Sequence, residues 1–325
     1  MSVRPAFPTE LGALARELTR MAANGGLMAS ALPGPLASGA IPGWPRLLPG
    51  LFGLRGRVRV HVEHQRDRFR AIALVYEGRR DEWVVISLAA SDDPDGADAA
   101  FRLLSALCAS AARHGMHRVF ASVPDTARAR ESFFQAGFYS YTRETWFVAR
   151  RATPEPARRV EGHFATGRDA HDLFRFYAAT TPHAVQRAEQ LQVEDFDVGR
   201  RAGAFDPPHI GGNPLGMKRS MVVVATDGPR LRAYAASYRG LERHPHVCKV
   251  RTDVGDVDLA RELVRGATQE LADGRALVVP VRSYEEHVAR ALAHDGFEDT
   301  STTMLFVKEL AVRVEEPAFR PVVAR

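Results

Sequence analysis

The chain has 325 residues, 45% hydrophobic and 26% charged, with two cysteines and a formal net charge of +5. That composition excludes collagen-like, disulfide-stapled and disordered chains, and the length suits about two domains, each able to bury a core of its own. Lysine occurs only at Lys218, Lys249 and Lys308, and the arginines are spread along the chain rather than clustered with aromatics, so a solvated surface is expected and not a nucleic-acid face.

Taken in chain order, residues 10–22 predict a helix. Residues 21–45 carry no charge, but Pro33, Pro35, Pro42 and Pro45 with five glycines would strand unpaired backbone groups in lipid, so this stretch reads as an apolar loop and no membrane partner is expected. Cys108 and Cys248 lie 140 positions apart and no signal peptide is visible, which points to a reducing cytoplasm. Residues 57–62, 70–76 and 82–89 are β-rich runs joined by charged turns and predict an antiparallel meander. Residues 99–113 then place Phe101, Leu104, Leu107, Cys108 and Ala111 on one helical stripe that stops at Gly115. A strand at 118–123 follows, then a helix at 126–135 with Asp125 as its N-cap and Gly137 as its end, and a closing strand at 141–149.

Residues 151–158 hold two prolines and three charges and suit a linker, which divides the chain into domains 1–155 and 156–325. The second half repeats the programme, with helical material at 170–191 interrupted at Thr180-Thr181-Pro182 and a turn-rich loop at 205–214. Strands at 221–225, 231–236 and 246–251, a helix at 259–272, a strand at 276–281, a helix at 285–294 and a strand at 301–307 complete it. Sliding the chain by 159 residues superimposes Gly96 on Gly255, Leu104 on Leu263, Gly115 on Gly274, Gly137-Phe138 on Gly296-Phe297 and Phe147-Val148 on Phe306-Val307, so two copies of one fold are predicted.

A helix-led unit of order β-β-β-α-β-α-β whose second core helix ends in Gly-Phe resembles the GNAT superfamily of acyl-CoA-dependent N-acyltransferases. The likeness covers residues 10–150 and 160–313 and is sharpest at 118–138 and 275–297. It implies an α/β (α+β) fold of two tandem GNAT-like domains, each a mixed, mostly antiparallel sheet flanked by helices. It also implies acetyl-CoA as the acyl donor and a small-molecule or peptide amine as acceptor, with a homodimer left open.

In that family a Gly-rich loop leading into the third helix binds the pyrophosphate through backbone N–H groups. Here the first loop runs Ser91-Asp92-Asp93-Pro94-Asp95-Gly96 and the second Thr252-Asp253-Val254-Gly255-Asp256, with acids where a dianion would rest and helix capping as their plain alternative role. The resemblance makes Ser91 and Gly96 in the first copy, and Arg251, Asp253, Val254 and Gly255 in the second, the cofactor-binding candidates. If one copy alone binds, the second is favoured, because its loop has fewer acids and Lys249 and Arg251 precede it. The family's general-acid tyrosine is replaced by Phe133 and Leu292, which leaves Tyr141, Ser283 and Tyr284 as the catalytic candidates, with Tyr139 beside them. His244, His246 and Cys248 alternate on an extended segment, but no second cluster completes a metal site and none is predicted. Two readings therefore stand: an N-acetyltransferase, or a catalytically inactive GNAT-like binding or scaffold protein that has lost the pyrophosphate loop.

Overall fold

The structure, a computed structural model, describes residues 2–30, 58–65, 68–78, 81–150, 161–199, 218–240, 245–253 and 255–311. The linker at 151–158, the loop at 205–214, Val254 and His244 lie outside them.

The first half contains β1 (Ser2–Pro5), α1 (Leu11–Ala23), β2 (Leu27–Ser30), β3 (Val58–Gln65), β4 (Arg68–Glu77), β5 (Glu82–Ala90), α2 (Asp95–Arg113), β6 (Arg118–Pro124), α3 (Ala127–Gln135) and β7 (Tyr139–Ala149). The second contains β8 (Gly162–Phe164), α4 (Ala170–Thr180), α5 (His183–Glu189), β9 (Lys218–Asp227), β10 (Arg230–Arg239), β11 (His246–Thr252), α6 (Val257–Leu271), β12 (Leu277–Arg282), α7 (Glu286–His294) and β13 (Glu298–Glu309). The helix break at Thr181-Pro182 falls where proline and its β-branched neighbours predicted it. Two local expectations are corrected. Residues 27–30, read as loop, form β2, and the α3 N-cap is Thr126, whose hydroxyl accepts from Ala129 N, rather than Asp125.

The repeat is real, but its register is not uniform. β4 and β10 begin at Arg68 and Arg230, an offset of 162, and share one burial pattern along ten residues. Along the core helices the buried faces coincide at 160, with Leu103, Leu104 and Leu107 matching Leu263, Val264 and Ala267. From the turn glycines Gly137 and Gly296 (φ 80° and 77°) onward the offset is 159. Gly96 and Gly255 are therefore not structural counterparts. Gly96 lies in the first turn of α2, whereas Gly255 (φ 89°) precedes Asp256, the N-cap of α6.

The described strands join in one sheet of order β1-β3-β4-β5-β6-β13-β7-β12-β11-β10-β9-β8, with β2 added beside β5. The closing strands are exchanged. β13 of the second half pairs with β6 of the first, from Thr303 opposite Pro124 to Glu309 opposite Arg118. β7 of the first half pairs with β12 of the second, from Leu277 opposite Ala149 to Arg282 opposite Glu144. β7 and β13 then pair with each other and join the two sheets.

Strand alternation assigns the faces. On β4, Ala71, Ala73 and Val75 pack with Leu103, Leu104 and Leu107 of α2 and Phe133 of α3, while Ile72, Leu74 and Tyr76 share the opposite core with Leu14, Leu18 and Met21 of α1. In the second half Ala233 and Ala235 face α6 and α7, and Tyr234, Ala236 and Tyr238 face α4. Phe306 of β13 is fully buried in the first half's core, 5.7 Å from Phe133 between ring centres.

Candidate active site

Among the described residues each half contains one parallel pair, and both pairs splay. β5 and β6 pair from Glu82–Arg118 to Val85–Ala121, then separate as β5 continues beside β4 to Ala90 and β6 beside β13 to Pro124. In the second half only His246–Leu277 and Val247–Val278 pair before β11 follows β10 to Thr252 and β12 follows β7 to Arg282.

The two gaps are filled differently. In the first, β2 pairs with β5 through Leu27–Ala89, Ala29–Leu88 and Ser30–Ser87 and lies against β6, with Met28 and Ala29 buried. The chain's own strand thus takes up the backbone groups that the splay would leave free. In the second, no described strand pairs with the facing edges of β11 and β12 beyond Val247 and Val278. The α4–α5 connection crosses there instead.

Side chains around the second gap form a buried polar cluster. Lys249 and Arg251 share the parity of Val247, which faces α4, whereas Cys248 and Val250 face α6. The Arg251 guanidinium donates to Glu285 Oε1 at 2.9 Å, Thr181 Oγ1 at 2.7 Å and the Tyr284 hydroxyl at 2.7 Å. Arg282 donates to the Tyr284 hydroxyl at 3.2 Å and forms ion pairs with Glu189 Oε1 at 2.6 Å and Glu144 Oε2 at 3.7 Å. Tyr177 of α4 donates to Glu189 Oε2 at 2.9 Å. Burial pushes the Glu189 carboxyl up, but Arg282, Lys249 and Arg251 outweigh it and hold it at about 2. Burial, with Arg282 and Arg251 nearby, drives the Lys249 ammonium down to about 7 against the pull of Glu189 and Glu285.

The sequence-predicted catalytic residues are placed unequally. Tyr284 is half-buried in this cluster, and burial raises its phenol against the opposing influence of Arg251 and Arg282. Its oxygen accepts from both guanidiniums, which leaves its own O–H free to donate. Tyr141 reaches the same region from the first half. The β7–β13 register shifts where Leu305 faces Thr142 and Phe306 faces Ser140, so Tyr141 is the extra residue and turns toward Ala188 of α5. Burial and the Glu189 charge raise its phenol well above the usual range. Ser283 is exposed, with its backbone N–H on Arg143 O and its Oγ 3.4 Å from Thr142 Oγ1, so it does not join the cluster. Tyr139 is bound instead to Glu309.

The cofactor candidates also divide. In the first loop Arg70 clamps Asp93 through two bonds of 2.7 Å, and Arg128 of α3 reaches Asp92 while donating to the Ser91 carbonyl. A Cβ at Gly96 would lie 1.8 Å from Ser91 O and 2.6 Å from the Arg128 guanidinium. Ser91 and Gly96 thus close around a guanidinium that Asp92 and the Ser91 carbonyl already engage, so this cation is not available to a pyrophosphate. In the second loop Arg230 and Arg232 pair with Asp253, and Arg232 also pairs with Asp256, which caps Leu259 N. Gly255 is exposed beside these pairs, while Arg251 points away from the loop into the cluster.

Thr181, Glu189, Arg282 and Glu144 were not anticipated from sequence. The Thr180-Thr181-Pro182 break was the one legible signal, because it marks where the chain turns over the gap. Among the described residues no group of three His, Cys, Asp or Glu side chains is placed to hold a metal ion, and no helix is long and apolar enough to cross a membrane. Buried His246 uses its ring nitrogens on Asp273 and on Gly240 N.

The fold and the paired splays define the chain as two GNAT-like units sharing one sheet, in agreement with the sequence resemblance. Solved structures concur on the fold. A GCN5-related N-acetyltransferase from Sphaerobacter thermophilus is similar with a TM-score of 0.52 and 14% identity, covering 97% of each chain. A tandem GNAT protein from the clavulanic acid biosynthesis pathway, solved without AcCoA, is similar with a TM-score of 0.51 and 12% identity, over 96% of this chain and 99% of that one. No family model matches the sequence, and no curated protein matches it either.

Proposed function

We propose that the chain is an acyl-CoA-dependent N-acyltransferase in which only the C-terminal unit accepts the acyl donor, with acetyl-CoA as the donor to test first. The observation that carries this reading is the asymmetry of the splays: β2 occupies the β5–β6 gap, while among the described residues no strand lies between the facing edges of β11 and β12. Free backbone groups on such edges suit the amides of a pantetheine arm. An amine acceptor, small-molecule or peptide, would approach from the α4–α5 face, where Glu189 and Glu285 supply negative charge. Tyr284 then donates its proton to the leaving thiolate. The Arg251 and Arg282 N–H groups already on its oxygen stabilise the phenolate left behind, as preorganised donors do wherever charge develops.

One observation favours the non-catalytic alternative: the acids of both loops are already paired with arginines, so neither loop offers a ready anion site. Calorimetric titration of the full chain with acetyl-CoA and with CoA separates the readings. The acyltransferase reading expects micromolar binding at a single site per chain, and absence of heat with both ligands supports the scaffold.

A further inference from the structure

The buried cluster leaves one group without a role. Arg251 is bound by Glu285, Thr181 and Tyr284, and Arg282 by Glu189, Glu144 and Tyr284. Lys249 lies between these elements on β11, two residues past the last parallel pair with β12. It is half-buried, and among the described residues its ammonium has neither an ion-pair nor a hydrogen-bond partner. A lysine in that position is ordinarily held by a carboxylate. Here both nearby carboxylates are committed to arginines.

We propose that Lys249 is a self-acylation site, which accepts an acyl group from acyl-CoA held in the β11–β12 gap. The proposal rests on the reading that this gap receives the donor. The lone pair of the neutral amine attacks the thioester carbonyl carbon, a C–N bond forms and the C–S bond breaks. The thiolate leaves with the proton released from nitrogen, so the products are an N-acyl-lysine and free CoA. The groups facing Lys249 are Arg251 on β11, Arg282 on β12, Glu285 before α7 and Glu189 on α5, with Tyr177, Tyr284, Tyr141 and Glu144 around them. The two guanidiniums disfavour a third cation, and burial acts in the same direction, so a nucleophilic fraction exists near neutral pH. Acylation removes that cation permanently.

The chain contains just three lysines, so Lys218 and Lys308 serve as internal references. Lys308 donates to the Ala136 carbonyl and is engaged. The full chain is incubated with acetyl-CoA, with and without excess CoA, and acetyl occupancy at each lysine is read by peptide mass spectrometry, alongside calorimetry with CoA. The proposal expects occupancy at Lys249 at least about tenfold above Lys308, suppressed by CoA. In a second arm, limiting acetic anhydride at a series of pH values should label Lys249 ahead of Lys308, with half-maximal reactivity near neutrality. If CoA binds but Lys249 is acetylated no faster than Lys308, the proposal falls while the acyltransferase reading survives. If CoA does not bind, the acyltransferase reading falls and the proposal falls with it. Lys249 labelling by acetyl-CoA that excess CoA leaves unchanged also overturns it, because the donor is then reacting from solution.

Discussion

Glu144 of β7 and Arg282 of β12 stand 3.7 Å apart as cross-strand partners, although one belongs to the first half of the chain and the other to the second. The exchange of closing strands that makes them neighbours also completes each core with a strand from the other repeat. The halves are therefore expected to unfold together. Leu263→Ala in α6 should cost about 2–5 kcal/mol by emptying space in the second half's core. All three tryptophans lie in the first half, at Trp44, Trp83 and Trp146. Urea unfolding followed by their fluorescence should nonetheless shift with this second-half substitution. An unchanged fluorescence midpoint with a displaced circular-dichroism transition would mean independent halves.

Glu189 carries the acid sensitivity of the cluster. Its folded carboxyl is held at about 2, against about 4.3 in an unfolded chain. Its contribution is therefore complete above pH 4.3 or so and disappears as the pH falls through about 2. Glu189→Gln should cost about 3–5 kcal/mol at pH 7 by leaving Arg282 short of a buried counter-charge. Denaturant midpoints at pH 5 and pH 2.5 should differ less in this variant than in the parent chain.

Lys249 behaves in the opposite sense. Its folded pKa of about 7 lies below the unfolded value of about 10.4, so the folded state resists protonation. The penalty is absent above pH 10.4 or so, grows as the pH falls, and is complete below about 7. Lys249→Met should raise stability by at least about 1 kcal/mol at pH 7, a modest figure because the side chain is only half-buried. The advantage should vanish near pH 10.5, and thermal melts at the two pH values check it.

Gly96 and Gly266 offer a matched comparison on the two core helices. A methyl at Gly96 would meet Ser91 O at 1.8 Å, whereas nothing lies within 4 Å of one at Gly266 in α6. Gly96→Ala should cost on the order of 3 kcal/mol or more, since the obstacle is backbone. Gly266→Ala should stabilise by about 0.5–1 kcal/mol through helix propensity. Equal effects would mean that the Ser91–Arg128 enclosure is not rigid.

Tyr284 and Tyr141 separate chemistry from scaffold. Tyr284→Phe should lower kcat by about 10²–10⁴ with little change in CoA affinity, the signature of a lost general acid. Tyr141→Phe, packed against Phe120 and Ala188, should stay within about threefold of the parent. Steady-state rates with acetyl-CoA and a panel of amines, with CoA binding measured separately, decide it. Equal losses in the two variants would make Tyr284 a packing residue.

Much of the fold was legible in the sequence because its signals are local. Two-residue alternation gave the β3–β5 meander, the apolar stripes gave α2 and α6, and the Gly-Phe pairs ended α3 and α7 where they were expected. β2 was not legible, because four residues inside an uncharged Pro/Gly-rich stretch carry no period long enough to read. Gly96 and Gly255 show the limit of matching by identity: they coincide at one offset, yet the loops before the two helices differ in length and place them in different surroundings.

Two copies, their element order, the broken helix before the second meander and the two acidic loops follow from the sequence by itself, since each depends on neighbours a few residues apart. Tertiary structure decided which closing strand completes which sheet, which splay the chain fills with its own β2, and that Arg251, Arg282, Glu189, Glu144 and Tyr284 meet at one place. Those outcomes depend on contacts between residues up to about 190 positions apart in the chain, Arg118 and Glu309 among them. Such contacts leave no trace in local periodicity, because either strand pairing would bury the same apolar faces.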